Sequence, residues 1–323
     1  MWGDWKLFVL EFSEMALNKI WVVGAGAVGG YLGARLFRAG TDVTFLVRPK
    51  TYTHISKRGI EIRSPDGDFS IHPPFVQNIE SASHADLIVL SVKCYDLLSA
   101  LTDVMPLVKK GALLLTLQNG VDSEERIQSL LTGDSMVAGV AYITARLAEP
   151  GVVEHFCRGT ITLGELSGEK SDRAKEIHAL FEKAGIPSKL TSQIRNAKWT
   201  KLCWNATFNP LSVILHHPIS LILGSSVLLE IVREGIREVM AVARAEGVVL
   251  NDHVIEETIS TSEQFKDYYT SMYEDYCSGK QTEIEHLNGD IIRRGERGGI
   301  PVPVNKMLYA LMKGLEMGRE KSR

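Results

Sequence analysis

The spacing of hydrophobic positions changes at about residue 194 of this 323-residue chain. Before that point, continuous apolar runs are typical of buried parallel strands, because a strand covered on both faces is apolar at every position. After that point, apolar residues recur at helical spacing. The pattern predicts an α/β domain over 19–191 and an all-α domain over 192–323. The apolar runs that carry this prediction are 19–23, 42–47, 86–92 and 111–117.

The first apolar run leads into Gly24, Gly26 and Gly29, which have the spacing G-x-G-x-x-G. A helix is predicted over 31–39, so the motif lies between a strand and a helix, as in a Rossmann-type dinucleotide-binding domain. Free N–H groups at the helix start attract phosphates. A glycine-rich turn of purely structural use is the alternative. The predicted cofactor-binding residues here are Gly24, Ala25, Gly26, Ala27, Val28 and Gly29.

The end of the second predicted strand indicates which dinucleotide binds. An NAD site usually places Asp or Glu there, to accept a hydrogen bond from the ribose 2′-hydroxyl. This strand instead ends in Arg48 and Lys50, with no carboxylate. A guanidinium suits a 2′-phosphate. The sequence therefore favours NADP(H), with two solvated loop cations as the alternative interpretation.

Two further polar residues follow predicted buried strands. Lys93 comes after the run 86–92, and Asn119 after the run 111–117. Ligands of open α/β sheets bind beyond the carboxyl ends of the strands, where the glycine turn and Arg48 also lie. Each residue could also be a routine polar strand end. Their shared position favours a site.

The second informative segment is a predicted helix that carries Lys201, Asn205 and Asn209. The spacing i, i+4, i+8 places these residues on one stripe, and their neighbours are mostly apolar. Buried polar groups need partners, and this set suits a small carboxylate with a carbonyl or hydroxyl. A solvated polar stripe is the alternative. Downstream, Glu283 is explained as the first turn of a helix capped by Thr282, so the pattern does not single it out.

Composition excludes several other classes of protein. The net charge is −3, with 45% apolar and 23% charged residues, which gives no reason to expect a nucleic-acid partner. The four cysteines are scattered, as expected of reduced thiols in a cytoplasmic protein, and no metal site is indicated. No apolar run is long enough to span a membrane. Residues 1–18 are interpreted as an N-terminal extension of doubtful status. The sequence does not determine the oligomeric state, and a homodimer is one option.

These motifs, in this order, resemble the ketopantoate reductases (2-dehydropantoate 2-reductases) over nearly the whole chain. The resemblance implies NADPH-dependent reduction of a 2-oxo acid in a cleft between a Rossmann domain and a helical domain, within pantothenate biosynthesis. By position, Lys201 would be the proton donor, oriented by Glu283. The substrate would bind to Asn119, Lys201, Asn205, Asn209 and Ser271, and the cofactor would also contact Lys93, Asn119, Ala145 and Glu283.

One departure from the family bears on the substrate. Ile219 stands where the family usually has an Asn that contacts substrate. Either His216 or His217 compensates, or the substrate is another 2-oxo acid. A non-catalytic NADPH sensor is a further alternative, which the retained Lys, Asn, Ser and Glu set disfavours because a sensor needs no proton donor.

Overall fold

The computed structural model describes residues 17–80, 82, 84–131, 133 and 135–321. The predicted N-terminal extension lies almost entirely outside these residues. The described strands form one ten-stranded sheet. They are β1 (Lys19–Val23), β2 (Asp42–Leu46), β3 (Ile60–Arg63), β4 (Phe69–Ile71), β5 (Phe75–Val76), β6 (Leu87–Leu90), β7 (Leu113–Thr116), β8 (Met136–Glu149), β9 (Val152–Gly164) and β10 (Ser188–Leu190).

The strand order is β4-β3-β9-β8-β7-β6-β1-β2-β5, and β10 pairs with β9. The strands β8, β7, β6, β1, β2 and β5 run parallel, so their carboxyl ends meet at one edge. Successive side chains of β1 enter different cores: Ile20 and Val22 lie in one cluster, and Trp21 and Val23 in another. Helices cover both faces, which explains the continuous apolar runs.

The described helices are α1 (Ala27–Arg38), α2 (Pro49–Arg58), α3 (Leu97–Val108), α4 (Ser123–Gln128), α5 (Asp172–Lys183), α6 (Ile194–Leu215), α7 (Ser220–Leu223), α8 (Ser226–Ala245), α9 (Val254–Ser262), α10 (Ser271–Cys277), α11 (Asn288–Gly298) and α12 (Pro303–Lys321). Helix α6 packs against α8, α10 and α12, and it also contacts β8 and β9. It therefore joins the helical part, α6 to α12, to the α/β part, β1 to β10. Within the described part of the chain, no helix has the length and apolar character needed to cross a membrane.

The predicted fold class, a Rossmann-type α/β domain followed by an all-α domain, is confirmed. One local prediction was wrong. Helix α1 begins at Ala27 instead of residue 31, because Gly29, Gly30 and Gly33 are poor helix formers and hide the helical pattern of its first turns. Strand β9 pairs with β8 as a long hairpin with irregular register.

Candidate active site

The glycine turn after β1 has the geometry that its sequence predicts. Gly24 has a φ of 98°, which favours glycine. A Cβ on Gly29 would lie 2.1 Å from Ser91 Oγ and 2.3 Å from the Gly24 carbonyl oxygen, whereas a Cβ on Gly26 would meet nothing within 4 Å. Gly29 therefore serves close packing of α1 on the sheet, and the space at Gly26 lies open. The residues fit a dinucleotide pyrophosphate, because the first N–H groups of α1 have no side-chain cap.

Arg48 lies at the predicted position after β2, where it is the residue that precedes α2. Its side chain is 67% exposed, and its guanidinium forms an ion pair with Asp96, which lies beyond β6. This partner was not predicted from the sequence. The guanidinium can still bind an anion, because an exposed ion pair contributes little and exchanges easily with other partners.

The residues that follow β6 and β7 converge on one carboxylate of the helical part. Glu283 accepts hydrogen bonds from the Cys94 backbone N–H (3.0 Å) and from Asn119 Nδ2 (3.0 Å). Lys93 Nζ lies 3.7 Å from the same carboxylate and 2.6 Å from Asp275 Oδ2 of α10. The structure thus brings together Lys93, Asn119 and Glu283, which are far apart in the sequence.

Lys201 of α6 completes this network. Its Nζ donates to Asn119 Oδ1 (2.8 Å) and to the Ala141 carbonyl oxygen of β8 (2.7 Å). Both acceptors are uncharged. Burial lowers the pKa of Lys201 to about 8, and the nearby Lys198 ammonium acts in the same direction, while Glu283 opposes them. Lys201 can therefore both donate and release a proton near neutral pH. We call Lys93, Asn119, Lys201, Asp275 and Glu283 the interface network.

Glu283 occupies a different local structure from the one predicted. It lies in a turn five residues before α11, and Thr282 donates its hydroxyl to Glu316 Oε1 (2.7 Å) instead of capping a helix at that point. Burial would raise the pKa of Glu283, but the Lys93 ammonium and the hydrogen bonds from Cys94 and Asn119 outweigh it and lower the pKa to about 2. The carboxylate is therefore ionised throughout the neutral range.

Asn205 and Asn209 lie on the same stripe of α6 as Lys201 and are almost fully buried. Asn205 Nδ2 and Asn209 Oδ1 have no hydrogen-bond partner among the described residues. A buried amide atom without a partner is costly, and a polar ligand removes that cost. The solvated-stripe alternative therefore does not apply to these two residues.

The remaining predicted residues lie outside this network of contacts. Ser271 is the exposed first residue of α10, and the cap of that helix is Thr270. Ala145 lies on β8, four residues beyond Ala141, opposite His155. Ile219 is buried in the apolar core of the helical part, together with Leu202 and Ile222.

The two histidines proposed to compensate for Ile219 lie in the segment that follows α6. His216 ends α6 with a φ of 53°, and its ring contacts Tyr273 of α10 with Nε2 3.3 Å from the tyrosine hydroxyl. His217 is exposed and contacts the Pro218 carbonyl oxygen through Nδ1. Of the two, only His216 is linked to the helix that carries Ser271.

Sequence reasoning missed Asp275, the Cys94 amide and the Ala141 carbonyl oxygen. The two backbone groups cannot be recognised in the sequence, because the residue type does not reveal what its backbone atoms bind. Asp275 lies four residues after Ser271 on a short helix, where a carboxylate resembles any solvated helix residue. Only its contact with Lys93 distinguishes it.

Comparison with known proteins gives a consistent result. A family model described as ketopantoate reductase PanE/ApbA matches residues 20–168, and a model of the C-terminal region of ketopantoate reductase PanE/ApbA matches residues 193–316. The 2-dehydropantoate 2-reductase of Pyrococcus horikoshii is 34% identical over 298 residues, which cover 92% of this chain and 97% of that protein.

Solved structures show the same relationship. A PanE/ApbA family ketopantoate reductase from Ralstonia eutropha has a TM-score of 0.86 and 34% identity, over 94% of this chain and 99% of its own. A D-mandelate dehydrogenase in complex with NADH and anilino(oxo)acetate has a TM-score of 0.87 and 27% identity, over 93% of this chain and 98% of its own. The resemblance drawn from the sequence motifs is confirmed.

Proposed function

The chain belongs to the ketopantoate reductase family of NAD(P)-dependent oxidoreductases, and we propose that it reduces 2-dehydropantoate to pantoate with NADPH. The observation that carries this proposal is the environment of Lys201. Among the described residues, its ammonium is bound only to uncharged acceptors, at the edge of the sheet where the glycine turn lies. Lys201 also shares a helix stripe with two unsatisfied amides.

Residues of the interface network have different roles in the proposed reaction. NADPH held at the glycine turn and Arg48 would supply a hydride for the C2 carbonyl carbon of the 2-oxo acid. Negative charge then develops on the carbonyl oxygen, where the Lys201 ammonium stabilises it and transfers its proton. The oxygen thereby becomes the hydroxyl of the product, and Lys201 is reprotonated from solvent.

The neighbouring side chains orient the substrate and the Lys201 side chain. Asn205 and Asn209 bind the carboxylate and hydroxyl of the substrate through their unsatisfied amide atoms. Asn119 connects Glu283 to Lys201 and so sets the direction of the Lys201 side chain. Ser271 and the Ala145 backbone remain predicted contacts for substrate and cofactor, respectively.

Preference for NADPH over NADH rests on Arg48. The guanidinium is exposed at the end of β2, where the adenosine ribose of a Rossmann-bound dinucleotide lies. Its fork can bind a 2′-phosphate in place of Asp96. A cytoplasmic location and a homodimer remain predictions from the sequence.

Another 2-oxo acid as substrate is the second candidate. Ile219 is buried in the apolar core, so it offers no hydrogen bond to a substrate hydroxyl. A D-mandelate dehydrogenase has the same architecture, so the scaffold supports more than one substrate.

The decisive experiment follows NADPH absorbance with ketopantoate and with a panel of other 2-oxo acids, using NADH as the cofactor control. Strong preference for ketopantoate with NADPH supports the proposal. Turnover restricted to another 2-oxo acid favours the second candidate. No turnover on any of these acids would contradict both.

A further inference from the structure

A second lysine of α6 lies close to Lys201 and forms a buried ion pair. Lys198 Nζ lies 2.6 Å from Glu124 Oε1 of α4, and the two side chains are only 4% and 3% exposed. The Thr116 hydroxyl, at the end of β7, donates to the same carboxylate oxygen at 2.6 Å. The mechanism described above gives neither charged residue a contact with substrate or cofactor.

The ion pair joins the same two parts of the molecule as the interface network. Lys198 and Lys201 are three residues apart on α6, so they lie on neighbouring positions of one helix face. Lys198 Nζ lies 3.5 Å from the Gln118 carbonyl oxygen, and Lys201 donates to the side chain of Asn119, the next residue. Both lysines therefore reach the segment that follows β7.

Stability alone gives a weak reason for this arrangement. The desolvation cost of a buried ion pair approaches or exceeds the attraction within it, so well-packed apolar residues would stabilise the contact between α6 and α4 at least as well. A charged pair instead places a fixed positive charge beside Lys201. The ionisable groups with the largest effect on Lys201 are Lys198 on its own helix, Lys93 and Cys94 in the segment after β6, and Glu283 in the turn before α11.

We propose that Lys198, held by Glu124, is a positioning residue for the reduction: it fixes the start of α6 against the end of β7, and its charge favours release of the proton from Lys201. This inference rests on the proposed function, in which Lys201 is the proton donor. Lys198 itself contacts neither substrate nor cofactor in this mechanism. Its effect is on the acidity and direction of the Lys201 side chain.

The test removes the charge and leaves the rest of the site intact. In the double variant Lys198→Met, Glu124→Gln, neither buried charge remains unpaired, and in Lys198→Gln only the lysine charge is lost. Lys198→Arg keeps the charge. Glu165→Gln is the matched control, because it breaks a partly buried ion pair elsewhere in the molecule, that of Glu165 with Arg173 of α5.

Two quantities are measured for each folded variant of the full chain. The Lys201 ammonium is titrated by NMR with labelled lysine, assigned by comparison with Lys201→Arg, and the pH profile of kcat is recorded. Loss of the Lys198 charge should move the Lys201 titration to higher pH by roughly one unit, as expected for two like charges at short range. The alkaline limb of kcat should move with it, while KM for the 2-oxo acid stays constant.

Lys198→Arg and Glu165→Gln should leave the Lys201 titration in place. An unchanged Lys201 titration in both folded variants that lack the Lys198 charge would overturn the inference. A titration that moves while the kcat profile does not would instead overturn Lys201 as the proton donor, and would leave the coupling between the two lysines established. The two failures are therefore distinguishable.

Discussion

The glycine turn after β1 and the polar stripe of α6 are both predicted from the sequence, but they depend on the fold to different degrees. The turn is encoded within a few residues: Gly24 adopts its positive φ and α1 begins three residues later. The stripe takes its partners from distant segments, since Lys201 bonds Asn119 and Ala141, 82 and 60 residues away.

This difference concerns the chemistry of the two sites. The turn offers backbone N–H groups, which any chain with the same backbone conformation supplies. In the stripe, the charge and direction of the Lys201 side chain depend on Glu283 and Asn119, which lie in other elements. A local motif can therefore identify a candidate cofactor site, whereas the acidity of Lys201 requires the assembled interface.

For the polar stripe of α6, the strongest test is the variant Lys201→Ala. Turnover should fall by about 10²–10⁴-fold, the usual weight of one acid–base group, because the ammonium no longer reaches the substrate oxygen. Steady-state kinetics measure the loss, with the exposed Lys189→Ala as control and circular dichroism to verify folding. Turnover near that of the wild type in a folded variant would refute the role of Lys201.

The variant Arg48→Ala tests the predicted cofactor site by removing one positive charge. NADPH binding should weaken by roughly 1.5–3 kcal/mol, the range for a hydrogen bond to a charged group, while NADH binding stays constant. Fluorescence titration with both dinucleotides measures this, and Lys50→Ala is the neighbouring control. Equal NADPH affinity in wild type and variant would remove Arg48 from the argument.

Two glycines of the turn form a matched pair. Gly29→Ala should cost about 1–3 kcal/mol of stability, because its Cβ would overlap with Ser91 and the Gly24 carbonyl. Gly26→Ala should leave the stability unchanged and weaken cofactor binding, since the methyl group enters open space where we place the pyrophosphate. Thermal unfolding and NADPH titration separate the two effects. Similar losses of stability in both variants would contradict this division.

The pH dependence of the wild type tests the same donor without any substitution. With a Lys201 pKa of about 8, the ammonium is present below that value, so reduction should fall to half near pH 8 and by about tenfold per unit well above it. Glu283, with a pKa of about 2, should add no acidic limb between pH 5 and 7. A rate independent of pH from 6 to 10 would conflict with proton transfer from Lys201.

Much of the fold follows from local pattern. The runs that became β1, β6 and β7 are apolar at nearly every position because helices cover both faces of the sheet. Helix α1 was harder to delimit, because glycine is a poor helix former, and Gly29 is required by its close approach to Ser91.

The candidate site likewise contains residues that the local pattern predicts and residues that it does not. Lys201, Asn205 and Asn209 could be predicted as a set because they share one stripe of a helix with apolar neighbours. Glu283 could not be predicted from the pattern, because the residues of its turn also suit the start of a helix. Asp275 could not be predicted either, because only its contact with Lys93 distinguishes it from other acidic residues of α10. The resemblance to a family, not the pattern, brought Glu283 and Ser271 into consideration.

The amino-acid sequence sufficed for the fold class, the glycine turn, the cation after β2 and the polar stripe of α6. These features depend on backbone geometry and on the periods of 2 and 3.6 residues, which are local. The ionisation of Lys201 and Glu283 and the buried pair of Lys198 with Glu124 came only from the assembled molecule. Charge interactions and desolvation depend on distances between side chains, and those distances are set when segments far apart in the chain pack together.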